Sequence, residues 1–475
     1  MGTKVRAAAV AACFLCVAPV GTVQAGASPG LSELQAAQAR MEVQMQQMAA
    51  RLDELAAVNA GLRAEVDQLN GAIEARDAEI DALQTEAGEL RKQGVQAADE
   101  IGKVKGAEWA SRLRFKGDLR VRDENIATER VVGSGPDAQI EDAADRNRMR
   151  FRARLVAEAQ VTMNSKVVFG IASGEGDPRS TNQTFGNIGS GKPAVIDLAY
   201  ADWAFAPGAR VIVGKQKQPY WRPGMSFFFD NDLNPEGGAV TYERGAFFGS
   251  AYGWWLQESY SANPAGNNAD ANILGAQAGF RFGLLGGETR VAAHYYDCGA
   301  CQHNNPFWSG GNAYGNTTIP QGAGSSLVQV LKYDYDVLEL AAEMNTTLFG
   351  LPFQVWADFA RNLAPGVEYD TAYGLGVFVG KASSPRSWEA GLMYQSMDKD
   401  AMFAQLIDSD FAAGVTDGEG WGLQLGYAPV KNVVLQAQYF INDLNKDVAP
   451  VNGPGYEVGK GLDYDRWRLD VNYRF

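Results

Sequence analysis

The sequence predicts an all-β transmembrane barrel of sixteen antiparallel strands, with eighteen as the open alternative, preceded by a long α-helical coiled coil. Three observations carry this expectation. The chain ends Arg466-Trp467-Arg468-Leu469-Asp470-Val471-Asn472-Tyr473-Arg474-Phe475, alternating apolar and polar from Trp467 and stopping on an aromatic. A strand with one apolar and one wet face, ending on the last residue, suits the closing strand of a barrel in lipid. The same two-residue period recurs over roughly three hundred preceding residues, and short joints between its segments alternate with long ones.

Residues 1–25 read as a secretory signal. Lys4 and Arg6 form the charged region, Ala7 to Val20 the apolar core, and Val23-Gln24-Ala25 a small-residue cleavage site. A lipoprotein reading on Val10-Ala11-Ala12-Cys13 competes, but leaves only about six apolar residues upstream. Loss of Lys4 and Arg6 takes the formal charge from −14 to −16. Such acidity argues against a nucleic-acid partner. No internal stretch approaches the roughly 20 apolar residues of a spanning helix, while 54 glycines and 11% aromatics suit many turns and interfacial girdles.

Residues 26–92 read as a periplasmic coiled coil. With Leu31 at position a, the seam runs through Leu34, Met41, Met45, Met48, Leu52, Leu55, Leu62, Val66, Leu69, Ile73, Ile80, Leu83 and Leu90, interrupted or weakened at Gln38, Asn59, Arg76 and Ala87. A seven-residue apolar repeat held this long predicts a left-handed coiled coil. It implies self-association without fixing the number of copies. Residues 93–110, with Gly94, Gly102 and Gly106, break the heptad and read as a linker.

Residues 111–475 hold the barrel. The expected strands are 112–122, 146–161, 165–173, 194–206, 209–217, 238–244, 247–256, 273–283, 288–297, 326–346, 352–361, 371–380, 386–397, 420–428, 432–442 and 464–475. Short joints follow even strands and long ones follow odd strands, as periplasmic turns and outer loops should. This parity requires 326–346 to be one long strand, which keeps eighteen open.

Charge marks the candidate pore. Arg112, Arg114, Lys116, Arg120 and Arg122 share one face of the first strand, and Arg146, Arg148, Arg150, Arg152 and Arg154 one face of the second. Their alternates, such as Leu113, Phe115, Leu119, Met149, Phe151 and Leu155, are apolar. An arginine in mid-membrane costs on the order of 2–4 kcal/mol on the lipid face, so these groups must line the lumen as a basic wall. Acidic side chains across the pore would turn the wall into a transverse field; without them it would select anions. The third long loop, 218–237, carries Phe227-Phe228-Phe229, which an exposed loop rarely wants. Folded inward, it would bury them and turn Asp230, Asp232 and Glu236 toward the arginines. Packing of these rings at a subunit interface is the alternative.

Cys298 and Cys301 remain after cleavage and read as a possible local disulfide in an exported protein. A free thiol pair, or a metal site with His294 and His303, is the weaker reading, because one CxxC pair supplies only two thiolates. No metal and no cofactor is expected. Those two histidines are the only ones, and no Gly-x-Ser-x-Gly elbow frames either, so an enzyme is not expected.

Several segments carry a family resemblance. They are Lys116-Gly117-Asp118-Leu119-Arg120-Val121-Arg122, the Arg-x-Arg run from Arg146, Ile196-Asp197-Leu198-Ala199-Tyr200-Ala201-Asp202-Trp203, and Val213-Gly214-Lys215-Gln216-Lys217-Gln218-Pro219. Trp388-Glu389-Ala390-Gly391, Asp400-Ala401-Met402-Phe403 and Asp408-Ser409-Asp410-Phe411 add to it. Over 111–475 the chain resembles the bacterial putative-porin family of outer-membrane channels. The resemblance implies passive diffusion of small hydrophilic solutes and a homo-oligomer, a trimer, in outer-membrane lipid. The coiled coil resembles the stalks of some wall-tethered porins, but their wall-binding module is missing here. A tether to peptidoglycan, or the barrel sheath of a larger conduit, therefore stands as the alternative function.

Overall fold

A computed structural model describes residues 30–103, 110–132, 139–258, 270–324, 327–446 and 461–475. The chain forms two units, divided after Lys103. The signal expected at 1–25 lies outside the described residues.

The first unit contains one helix, Leu31–Lys103. It spans about 110 Å at 1.5 Å per residue. The seam residues Leu52, Leu62, Val66, Leu69 and Leu83 are each more than half exposed along it, so the helix has no core of its own. The helix continues past 92 into the segment read as a linker. Gly94 and Gly102 each cost about 1 kcal/mol in a helix, but Gln96-Ala97-Ala98-Asp99-Glu100 between them favours it.

The second unit is a closed barrel of sixteen staves. In chain order they are β1 (Leu113–Val132), β2 (Arg146–Thr162), β3 (Ser165–Ser173), β4 (Ala194–Ala206), β5 (Ala209–Lys215), β6 (Glu236–Arg244), β7 (Phe247–Gln257) and β8 (Ala271–Leu284). They continue as β9 (Gly287–Gly299), β10 (Asp336–Leu348), β11 (Leu351–Asn362), β12 (Thr371–Gly380), β13 (Ser387–Met397), β14 (Gly418–Ala428), β15 (Val433–Leu444) and β16 (Leu462–Arg474). Each pairs antiparallel with its neighbours in sequence. β16 closes on β1 with Val121 opposite Val471, which leaves no open edge to hydrogen-bond in lipid.

Two strands differ from expectation by more than two residues. The segment 326–346 is not one strand. Val328–Leu331 pairs with Thr318–Gln321 in a loop hairpin, and only Asp336–Leu348 belongs to the barrel. Lys332-Tyr333-Asp334-Tyr335 separates them, so the count stays at sixteen. β1 runs ten residues beyond 122, because Asp123 to Thr128 continue the pairing with β16 and Glu129 to Val132 pair with Gln139–Asp142.

The short joints are tight turns. Leu285-Gly286 and Phe349-Gly350 have two successive positive φ angles, 50° and 76° and then 52° and 80°. That geometry matches the twist of the flanking strands and favours glycine at the second position.

Alternation sorts the side chains. Phe115, Phe169, Trp203, Leu340, Leu375, Trp421 and Leu469 stay exposed on the outer face, whereas Arg122, Glu124, Gln277, Glu339, Asp358 and Asp470 are buried inside. The interior also holds apolar cores. Tyr220, Phe228 and Phe229 of loop 216–235 pack with Met402, Phe403, Leu406 and Ile407 of loop 398–417 against Tyr252, Trp254, Ile273 and Tyr296. Cys298, near the end of β9, is bonded to Cys301 just beyond it.

Candidate functional site

The candidate site is the inner face of β16, β1 and β2. Register places Arg120 opposite Arg152 and Arg122 opposite Arg150, and brings Asp470 of β16 opposite Arg122. Like charges facing one another across a sheet are unfavourable, so the arrangement depends on carboxylates threaded between them.

Those carboxylates come from three sources. From β1 itself, Asp118 accepts from Arg152 at 2.9 Å and Arg154 at 2.7 Å. Glu124, also on β1, bridges Arg466 at 2.6 Å and Arg148. From β16, Asp470 binds Arg122 in a two-pronged fork at 2.7 and 2.8 Å. From the inward loops, Asp232 reaches Arg152 at 3.2 Å and Arg154 at 3.1 Å. Asp410 reaches Arg122 at 3.2 Å, Arg466 at 3.0 Å and Arg468.

The loop carboxyls divide into two kinds. Burial pushes against ionisation of Asp410, but Arg468, Arg122 and Arg466 overcome it and hold its carboxyl well below the usual range. Arg152, Arg120 and Arg154 likewise hold Asp232 low against its burial. For Asp408 the Asp410 N–H and Arg468 compensate only in part, and burial followed by repulsion from Asp410 pushes it up to about 7. Burial and then Asp408 push Asp230 well above its ordinary value.

The predicted site residues are therefore spread over several environments. Arg120, Arg122, Arg148, Arg150, Arg152 and Arg154 lie within the cluster. Arg112, Arg114, Lys116 and Arg146 are exposed, near the ends of β1 and β2, and Lys116 pairs with Glu158 at 2.9 Å. Of the three expected loop acids only Asp232 meets arginines. Asp230 turns to loop 398–417 and accepts the Ser409 N–H at 2.9 Å. Glu236 opens β6 and bonds Lys215 at 3.2 Å, because the stave starts before its carboxylate could swing inward.

Sequence reasoning missed Arg466, Arg468 and Asp470, although they are the polar positions of the closing strand and barrel closure must set them beside β1. It also missed Asp118 and Glu124 as internal counter-charges, and the inward fold of loop 398–417. Ala401-Met402-Phe403 and Leu406-Ile407 carried the same apolar signal as Phe227-Phe228-Phe229.

A polar cavity of about 1050 Å³ borders this wall. Arg120, Arg152, Arg154 and Lys217 line one side, and Glu343 and Glu389 contribute from staves elsewhere on the ring. Arg120 differs from its neighbours in the cluster. It donates to the Asn182 amide oxygen at 2.6 Å, whereas they meet carboxylates.

Among solved structures, the chain is similar to Pseudomonas putida OprB at high pH, with 12% identity over 79% of this chain and 97% of that one and a TM-score of 0.48. In vitro-folded OmpT of Vibrio cholerae, in its trimer form, shares 14% identity over 76% and 99%, with a TM-score of 0.41. A mutant of the Rhodopseudomonas blastica porin shares 12% over 76% and 100%, with a TM-score of 0.41. No curated protein matches the sequence. The profile of the family described as putative porin matches residues 89–318 and 324–475. The chain thus belongs to the putative porin family and is a sixteen-stave channel of the bacterial outer membrane.

Proposed function

We propose that the barrel passes small hydrophilic, charged solutes by passive diffusion, along a path narrowed by loops 216–235 and 398–417 and bordered by guanidinium groups. The observation that carries this reading is the cavity lined by Arg120, Arg152 and Arg154. The wall there is only partly neutralised: eight guanidiniums, of Arg120, Arg122, Arg148, Arg150, Arg152, Arg154, Arg466 and Arg468, meet the five carboxylates of Asp118, Glu124, Asp232, Asp410 and Asp470. The excess positive charge, inside walls of low dielectric, raises the local anion concentration. Arg120 is the group a passing anion meets, since its neighbours are engaged by carboxylates.

In this reading the helix stands in the periplasm and associates with copies of itself through its exposed apolar seam. A trimer fits, and the Vibrio cholerae OmpT structure is described as a trimer form. The mature protein in planar bilayers is expected to give stepwise ohmic conductance, and uncharged solutes of graded size are expected to block it up to a sharp cut-off. A protein that inserts as a folded barrel yet passes no ions contradicts the reading.

A further inference from the structure

Loop 216–235 is held to the wall opposite the arginines by hydrogen bonds into buried side chains. Gly224 N–H donates to Glu343 at 2.6 Å, Ser226 Oγ–H to Asp358 at 2.6 Å, and Phe227 N–H to the Gln395 amide oxygen at 3.1 Å. Asp358 on β11 and Glu339 on β10 are both buried, and the register, with Glu339 opposite Ala360 and Asp358 opposite Ala341, makes them diagonal neighbours on the inner face.

The donors around this pair can be assigned one by one. On β9, His294 lies between the Tyr252 hydroxyl, 2.8 Å from Nε2, and Glu339 Oε2, 2.6 Å from Nδ1. A neutral imidazole satisfies both contacts: Tyr252 O–H donates to Nε2, and Nδ1–H donates to Glu339. Ser226 O–H serves Asp358 Oδ2. The remaining oxygens, Glu339 Oε1 and Asp358 Oδ1, are buried and have no donor.

A single proton gives these two donorless oxygens what they lack, and two neighbouring buried carboxyls do not both ionise. The other charged and titratable groups facing the pair do not remove this need. Arg222, the nearby cation, is engaged by the Phe229 carbonyl and Asn231. Tyr220 packs tilted against His294 with ring centroids 4.3 Å apart, Tyr296 receives the Phe403 N–H, and Glu343 already accepts from Gly224 and Asn345.

We propose that Glu339 and Asp358 share one buried proton, and that this proton latches loop 216–235 against the barrel wall. Losing it places a second negative charge beside the first in an apolar enclosure. Release of Ser226 and hydration of both carboxylates then relieve the repulsion, so alkaline conditions free the loop from the lumen wall.

The test uses the refolded mature chain with a nitroxide at Asn231→Cys, near the loop tip, and electron paramagnetic resonance from about pH 5 to about pH 9. The ratio of mobile to immobile spectral components reports loop release without any need for current. Each linked proton contributes up to tenfold per pH unit to that ratio. The parent is expected to loosen as pH rises. Glu339→Gln supplies a permanent N–H to Asp358 and should show a dependence shallower by one proton; Asp358→Asn, with the donor reversed, should match it. Asp230 and Asp408 also titrate in this region, but they contribute equally to parent and variants and cancel in the comparison. A parent loop that does not change with pH overturns the latch, as does the parent's slope persisting in either variant that folds. A barrel that conducts while its loop stays pH-flat contradicts the latch alone and leaves the channel reading standing.

Discussion

On the side of β6 to β13, loop 216–235 meets the barrel wall through Tyr220, Phe228 and Phe229 packed on Tyr252, Trp254, Ile273 and Tyr296. On the side of β16, β1 and β2, the inward loops meet it through Asp232 and Asp410 inserted among arginines. The same lumen is thus closed by apolar packing with a few buried hydrogen bonds on one side and by ion pairing on the other. Packing removes a surface from water and leaves nothing for a solute to bind. Ion pairing that falls short of neutrality keeps the wall polar and leaves Arg120 bonded to an amide rather than a carboxylate. The proposed function divides the labour accordingly: one side fixes the loops, and the other borders the path of a charged solute.

The contrast can be broken most severely at Arg122. It is 1% exposed and joins Asp470 to Asp410, so Arg122→Ala strips buried Asp470 of its two-pronged partner and Asp410 of one of its three arginines. A loss of about 3–5 kcal/mol is expected, read by denaturant unfolding of the refolded barrel. Arg114→Ala, at an exposed position, should stay within about 0.5 kcal/mol.

The apolar side is tested at Gly224. Its φ is +39°, and an added Cβ would lie 2.1 Å from the Trp356 ring. Gly224→Ala should cost about 1–3 kcal/mol of loop docking. The expected signature is a larger or noisier single-channel conductance with little change in unfolding midpoint. Unchanged current would mean that the loop does not narrow the path.

Acid and alkali sharpen the comparison further. Asp408 sits at about 7 when docked, against 3.8 ordinarily. The docked loop therefore holds a proton that a released loop gives up, and this contribution is fully present below about pH 4 and lost as pH rises through about 7. Asp410 has the opposite sign: its pairing with arginine is present above its ordinary value and lost on acidification through its low folded value. Asp408→Asn should flatten the first limb of a loop-mobility titration and leave the acid limb in place.

Much of the barrel was legible because lipid outside and water inside impose a two-residue period that no other constraint overrides. Trp467, Leu469 and Val471 against Arg466, Arg468 and Asp470 show it within six residues. The short-long rhythm of joints favoured sixteen but left eighteen open, because it treated 326–346 as one stave. The hairpin within 318–331 was illegible because Val328–Leu331 alternates like a stave; only its pairing inside a loop distinguishes it. Partners of the arginines were legible only in part. Asp118 and Glu124 lie on the same face as the basic residues and could be counted, whereas Asp410 arrives from nearly three hundred residues away through a loop whose fold depends on tertiary packing. Glu236 was misassigned because an acidic residue near a stave boundary gives no sign of which side of the turn it occupies.

The central claim is that the partly neutralised arginine face borders the conducting path, and the most direct measurement is the reversal potential across a planar bilayer in a potassium chloride gradient. The wild type should favour chloride, and Arg120→Gln should move the ratio of anion to cation permeability toward one while the barrel keeps its stability. A potential of cation-selective sign, or one that does not move when Arg120 loses its charge, would contradict the account.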